Sequence, residues 1–176
     1  MDELKERLAQ ALIEVRAVEF GTFTLASGRQ SDIYVNIKRA ITRPEVLAIC
    51  AEGMAFHAMD VDRIAGVELG AIPLAAAVSL ETGLPFIMVR KKPKGHGTMG
   101  MFEGDLQEED RVLMVEDVTT TAGSAIKGLE ALREAGAHVE VVTVVVDRGE
   151  GAREALEEAG AKLIPLLTLD ELRERA

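Results

Sequence analysis

Glu116 and Asp117 stand side by side at the end of an apolar run, and Thr119, Thr120 and Thr121 follow almost at once, ahead of Ala122, Gly123 and Ser124. The run itself, Val112, Leu113, Met114 and Val115, reads as a strand that stops at the acid pair. A loop of small residues then opens a helix at residues 122–124. Such a junction is an anion cradle, because the first N–H groups of a helix lack partners and its dipole adds partial positive charge there. The threonine hydroxyls add donors, so a phosphate fits. Two acids would repel a bare phosphate, which asks for hydroxyl groups or a metal ion on the same ligand. A ribose phosphate carrying Mg²⁺ offers both: carboxylates accept from ribose hydroxyls, and Mg²⁺ sits mainly on substrate phosphates. Capping alone would account for either half of the stretch, but not for their conjunction. The lysine of a Walker loop is missing, which argues against a nucleotide triphosphatase.

A second chemical stretch, residues 90–104, reads RKKPKGHGTMGMFEG. It gathers Arg90, Lys91, Lys92, Lys94 and His96 with glycines and a proline between two strands. A connection of this length without helix or strand pattern suggests a functional or mobile loop. In an acidic chain, a glycine-hinged basic loop is best explained as a lid that closes over polyphosphate.

The elements that must position these groups follow a βα rhythm. Leu4, Leu8, Leu12 and Val15 form the stripe of a helix over residues 2–16. Residues 17–38 read as two strands around a turn at Gly28, the second alternating Ile33, Val35 and Ile37 with Tyr34, Asn36 and Lys38. A capping box at Thr42-Arg43-Pro44-Glu45 starts a helix that runs to about residue 59. Strands are expected at 64–67, 85–89, 111–116, 139–146 and 162–166, with helices at 72–82, 123–135 and 153–159 and a final one capped at Thr168 to Glu171. This implies an α/β fold, a mainly parallel central sheet flanked by helices, with a small hairpin-and-helix hood in about residues 1–40 of a single domain, 1–176. Ligands of such sheets bind at the carboxyl ends of strands. The ends at Glu68-Leu69-Gly70-Ala71, Arg90, Glu116-Asp117 and Asp147-Arg148 should therefore share one crevice.

Thirty acids against 20 bases give a net charge of −10, which disfavours general nucleic-acid binding. No apolar run approaches the roughly 20 residues of a membrane span. The charged, helical start is unlike a signal peptide. Cys50 has no partner for an internal disulfide, so a soluble, cytoplasmic protein is expected. Cys50, His57 and His138 read as ordinary core, helix or strand residues.

The stretch VEDVTTTAGSA resembles the phosphoribosyl-diphosphate (PRPP) signature of type I phosphoribosyltransferases. Together with TLASGRQSDIYVNIK, RKKPKGHG and VVVDRGEGA, in the same order and spacing, it makes most of the chain similar to orotate phosphoribosyltransferases. The resemblance implies the type I phosphoribosyltransferase fold and Mg²⁺-dependent transfer of ribose 5-phosphate from PRPP to orotate, in pyrimidine biosynthesis. It also implies a homodimer in which the basic loop is shared across subunits.

Carried onto this chain, Arg90, Lys91, Lys94 and His96 would grip PRPP, with Lys91, Lys94 and His96 on the moving loop or acting in trans. Glu116 and Asp117 would hold the ribose hydroxyls, and Val118, Thr119, Thr120, Thr121, Ala122, Gly123 and Ser124 the 5′-phosphate. Thr120 and Arg148 would contact orotate, whose carboxylate suits a guanidinium. Lys94, His96 and Asp117 would carry the catalytic roles, and no protein-held metal site is implied, Mg²⁺ arriving on PRPP. Arg29 and Tyr34 would lie over the base.

Three positions depart from the family pattern: Gln30 and Gly70 stand where lysines are common, and Ala122 where glycine is frequent. A transferase for another base would have no use for Arg148. A non-catalytic PRPP sensor would not need the basic lid. Lys94→Ala is expected to cut turnover far more than it lowers the thermal midpoint; normal turnover in that variant would count against the lid.

Overall fold

Strands that are apolar on both sides can settle only where helices cover both faces of a sheet. The computed structural model describes residues 1–24, 28, 30–92 and 100–175. In chain order its elements are α1 (Asp2–Glu14), β1 (Val18–Thr24), β2 (Gln30–Val35), α2 (Ile37–Ala40), α3 (Pro44–Ala55), β3 (Arg63–Val67), α4 (Ala71–Thr82) and β4 (Phe86–Val89). They continue with β5 (Phe102–Glu103), β6 (Arg111–Thr119), α5 (Gly123–Glu134), β7 (His138–Asp147), α6 (Ala152–Glu158), β8 (Lys162–Thr168) and α7 (Leu169–Arg173).

Six strands form one sheet in the order β5-β4-β3-β6-β7-β8, parallel except for β5. Alternation along β6 divides the core. Leu113 and Val115 face Val46, Cys50, Met54, Leu74 and Val78 of α3 and α4. Met114 faces Leu129 and Leu132 of α5 and Leu156 of α6. Burial pushes the Cys50 thiol up to about 12, so Cys50 is an inert core residue.

From β3 the chain steps one way, through α4 to β4; from β6 it steps the other way, through α5 to β7. Because α4 and α5 lie on opposite faces, the loops that leave β3 and β6 diverge, and a crevice opens between them.

The parallel sheet and the hairpin agree with the sequence reading, as does the capping box of the last helix, where Thr168 and Glu171 cap each other. Several boundaries differ. The second hairpin strand ends at Val35, because the Asn36 side chain accepts from the Arg39 N–H and starts α2 there, placing Ile37 and Lys38 on a helix. Thr42 is not a cap: its hydroxyl donates to the Arg39 carbonyl, and α3 begins on Pro44 and ends at Ala55. β6 runs through the acid pair to Thr119, since Glu116 and Val118 keep register with Val144 and Val146 of β7. The expected patternless loop contains β5, too short to register as a pattern, which pairs with β4.

Gly66 shows how tightly α4 sits on β3. A Cβ there would overlap the Ala71 carbonyl oxygen and lie 3.0 Å from the Ala75 Cβ, so the helix start lies directly on the strand. Gly66→Ala should cost about 2 kcal/mol or more in chemical denaturation, because the obstructing atom is backbone.

Candidate active site

Val67, Glu68, Leu69 and Gly70 at the end of β3 and residues 116–125 of β6 and α5 line one open cleft of about 330 Å³, joined by Lys38 and Lys91. All nine residues expected at the phosphate signature, Glu116, Asp117, Val118, Thr119, Thr120, Thr121, Ala122, Gly123 and Ser124, line it.

α5 starts on Ala122, which takes a left-handed conformation (φ 58°) and makes no side-chain cap. That backbone explains why glycine suits the position; alanine there costs roughly 1 kcal/mol. The first N–H groups of α5 consequently face the cleft without a side-chain acceptor. A Cβ on Gly123 would meet nothing, so the approach to them is open. Of the three threonines, Thr119 is buried and its hydroxyl donates to Asp147 Oδ1 at 3.1 Å. Asp147 Oδ1 also accepts the Gly149 N–H, which locks the β7 end against the loop. Thr120, Thr121 and Ser124 are exposed and supply the hydroxyls available to a ligand.

The acid pair is buried, Glu116 at 7% and Asp117 at 5% exposure. Asp117 Oδ2 holds the Lys38 ammonium at 2.6 Å. Glu116 Oε1 has no hydrogen-bond partner among the described residues. Burial, reinforced by the neighbouring Asp117 carboxylate, pushes the Glu116 carboxyl up to about 8. Glu116 is then largely protonated near neutrality. The remaining acids of the lining, Glu68 and Asp117, face Lys38 and Lys91, so the cleft starts close to neutral.

On the opposite wall, Glu68 accepts the Lys91 backbone N–H at 2.7 Å and its own N–H donates to Val89, tying the β3 loop to the end of β4. The Glu68–Leu69 peptide is cis. Gly70 caps α4, and a Cβ there would overlap Asp117 Oδ2.

Some expected residues are not brought together. Arg90 pairs with Glu103 at 2.7 Å and does not line the cleft. Arg148 pairs with Glu150 at 2.9 Å beside the cleft rather than in its lining. Lys94, His96 and Arg29 lie outside the described residues. Tyr34 packs on Phe23 in the hairpin, with ring centroids 5.7 Å apart. His138 pairs with Glu109 at 3.0 Å, away from the cleft. Lys38 was missed because the apolar–polar alternation of the hairpin continues through it in sequence; the signal was Asn36, whose cap turns the chain.

Comparison with known proteins agrees with this geometry. The family model described as "Phosphoribosyl transferase domain" matches residues 38–164. The chain is 47% identical to an orotate phosphoribosyltransferase of Thermococcus gammatolerans, over 99% of this chain and 95% of that one. It is 51% identical to that of Methanosarcina mazei, over 97% and 92%. The crystal structure of orotate phosphoribosyltransferase from Aeropyrum pernix superposes with a TM-score of 0.85 at 35% identity, covering 96% of this chain and 97% of that one.

The raised Glu116 carboxyl has a signed consequence. Below pH 4.5 it is neutral in folded and unfolded chains alike, and its contribution to stability is fully present. Between 4.5 and about 8 only the unfolded chain releases the proton, so stability falls as pH rises, and above about 8 the loss is complete. Urea denaturation across this range should show Glu116→Gln gaining on the wild type with rising pH, by up to a few kcal/mol. A pH-independent difference would contradict the buried, protonated carboxyl.

Proposed function

Because the chain belongs to the orotate phosphoribosyltransferases, within the phosphoribosyltransferase family, we propose that it transfers ribose 5-phosphate from PRPP to N1 of orotate. The products would be orotidine 5′-monophosphate and diphosphate, in pyrimidine biosynthesis. The observation that carries the reading is the meeting, in one cleft, of a buried acid pair with an uncapped helix N-terminus.

In this reading the α5 N–H groups with Thr120, Thr121 and Ser124 take the 5′-phosphate, while Val118, Ala122 and Gly123 shape the cradle. Glu116 and Asp117 hold the ribose hydroxyls and face the side where positive charge develops on the ring. The Glu68–Gly70 wall and Lys91 flank the diphosphate. Lys94 and His96 join them from the basic segment, and Arg90 supports that segment. As the anomeric C–O bond breaks, its electron pair leaves on diphosphate and N1 of orotate supplies the new bond with inversion.

The residues present fit Mg²⁺ carried on the substrate: Glu116 and Asp117 both line the cleft, and their carboxyl groups would accept from metal-bound water or ribose hydroxyls. When bound, Mg²⁺ would neutralise charge on the diphosphate. No group of three or more metal-ligating side chains occurs among the described residues. The Arg148–Glu150 pair beside the cleft supports a guanidinium that swings to the orotate carboxylate.

We also propose that the whole chain acts as one domain and that its working form is a homodimer. Leu80 of α4 and Met88 of β4 are exposed at 88% and 39%, apolar side chains that a second copy lending its basic segment would cover. No helix of the described residues is long and apolar enough to cross a membrane, and a cytoplasmic setting suits the single buried thiol.

The test is the ultraviolet absorbance of orotate mixed with purified protein and PRPP, with and without Mg²⁺. A loss that needs both supports the assignment; no loss while PRPP still binds would move it to another base or to a PRPP sensor. Arg148→Ala should raise the KM for orotate by about tenfold, the worth of a charge-assisted contact, with little change in the KM for PRPP.

A further inference from the structure

Lys38 enters the cleft from outside the sheet. It belongs to α2, at the base of the hairpin, and its ammonium reaches across 79 positions of sequence to Asp117 Oδ2 at 2.6 Å. Its side chain is 57% exposed, while that of Asp117 is 7% exposed. The carboxylate is therefore fixed and the ammonium is the partner able to move.

We propose that Lys38 is a binding residue for the diphosphate of the substrate, moving from Asp117 to a phosphate oxygen when the ribose hydroxyls take its place on the carboxylate. This rests on the functional reading given above.

Three observations carry it. The first is position. A Cβ on Gly70 would overlap the same oxygen, Asp117 Oδ2, that holds Lys38, so the ammonium sits on the β3-loop side of the acid pair. The phosphate cradle of α5 needs no cation there, having its own N–H groups. The second is charge. Among the described lining residues the cations are Lys38 and Lys91, and Arg90, adjacent in sequence, is turned away to Glu103. A diphosphate brings several negative charges, and Lys38 adds a second cation beside Lys91 on the described wall of the cleft. The third is exchange. A carboxylate that gives up an ammonium for ribose hydroxyl donors keeps its hydrogen bonds, so Asp117 is not left buried and bare. Lysine is suited to this, as a point charge on a long flexible stem.

The experiment titrates the full chain by calorimetry with Mg²⁺-PRPP, which carries sugar and diphosphate together, and, separately, with ribose 5-phosphate, which lacks the diphosphate. Lys38→Ala should weaken PRPP binding by about tenfold while ribose 5-phosphate binding changes by less than about twofold. Lys38→Arg should keep most of the PRPP affinity, since it restores the charge. Unchanged PRPP affinity in Lys38→Ala would overturn the proposal. So would an equal loss for both ligands with a lowered thermal midpoint, which would mean that Lys38 only steadies Asp117. A wild type that binds PRPP yet leaves orotate untouched would sink the orotate assignment and leave the role of Lys38 standing.

Discussion

Placing two carboxyl groups side by side, both nearly out of water, is the constraint on which the site depends. Glu116 and Asp117 are consecutive residues of a central strand, so their side chains leave on opposite sides, yet both are buried. Two buried charges at this separation are unfavourable in a low-dielectric surrounding. The fold meets the cost in two ways. Asp117 receives a cation from α2, and Glu116 keeps its proton. The hood is thus more than a cover over the sheet: it supplies the countercharge without which the strand end would be strongly disfavoured.

The topology explains why that strand end is open on its other side. β3 and β6 are neighbours, but the crossovers that leave them go to opposite faces, so no helix closes the gap above the pair. The same divergence aims the start of α5 and the start of α4 toward one space. Gly66 and Gly70 make this possible on the α4 side. Side chains there would overlap the Ala71 carbonyl and the Asp117 carboxylate respectively. Two glycines that look alike in sequence therefore have different duties, one seating a helix on a strand and the other leaving room for an acid.

What was legible in the sequence was what depends on neighbours in the chain. The strand, acid pair, loop and helix at residues 111–134 follow from local pattern, as do Gly83 in its left-handed turn after α4 and the reciprocal cap of Thr168 and Glu171. What escaped depends on partners far away. Strand β6 outruns its apolar run because β7 offers register to Thr119. The two-residue β5 exists only against β4. Thr42 fits a capping box by spacing, yet its hydroxyl is taken by Arg39 of the preceding helix. Arg90 was placed in the crevice by position, and it is held by Glu103, thirteen residues on, across the β4–β5 pairing; the pairing of Arg148 with Glu150, two residues on, was by contrast open to a reading of the sequence as the alternative to a place in the pocket. Lys38 is the converse case, a residue without a motif whose place in the cleft follows from a turn two residues earlier.

These ion pairs share a feature that bears on how such a site works. Lys38 with Asp117, Arg90 with Glu103 and Arg148 with Glu150 each join a cation near the cleft to an acid of the same chain. A cation held this way is screened from stray anions and costs little to release when its partner is solvated, since partly exposed pairs contribute about 0–1 kcal/mol. Asp117 is the exception, because its carboxylate is buried and cannot take water in exchange. Its release of Lys38 must be compensated by another donor. A bare anion offers none; a ligand bearing both hydroxyls and phosphates offers the donor and the acceptor together. The buried carboxylate therefore links the two halves of recognition, so that the cation becomes available to phosphate only when the sugar is in place.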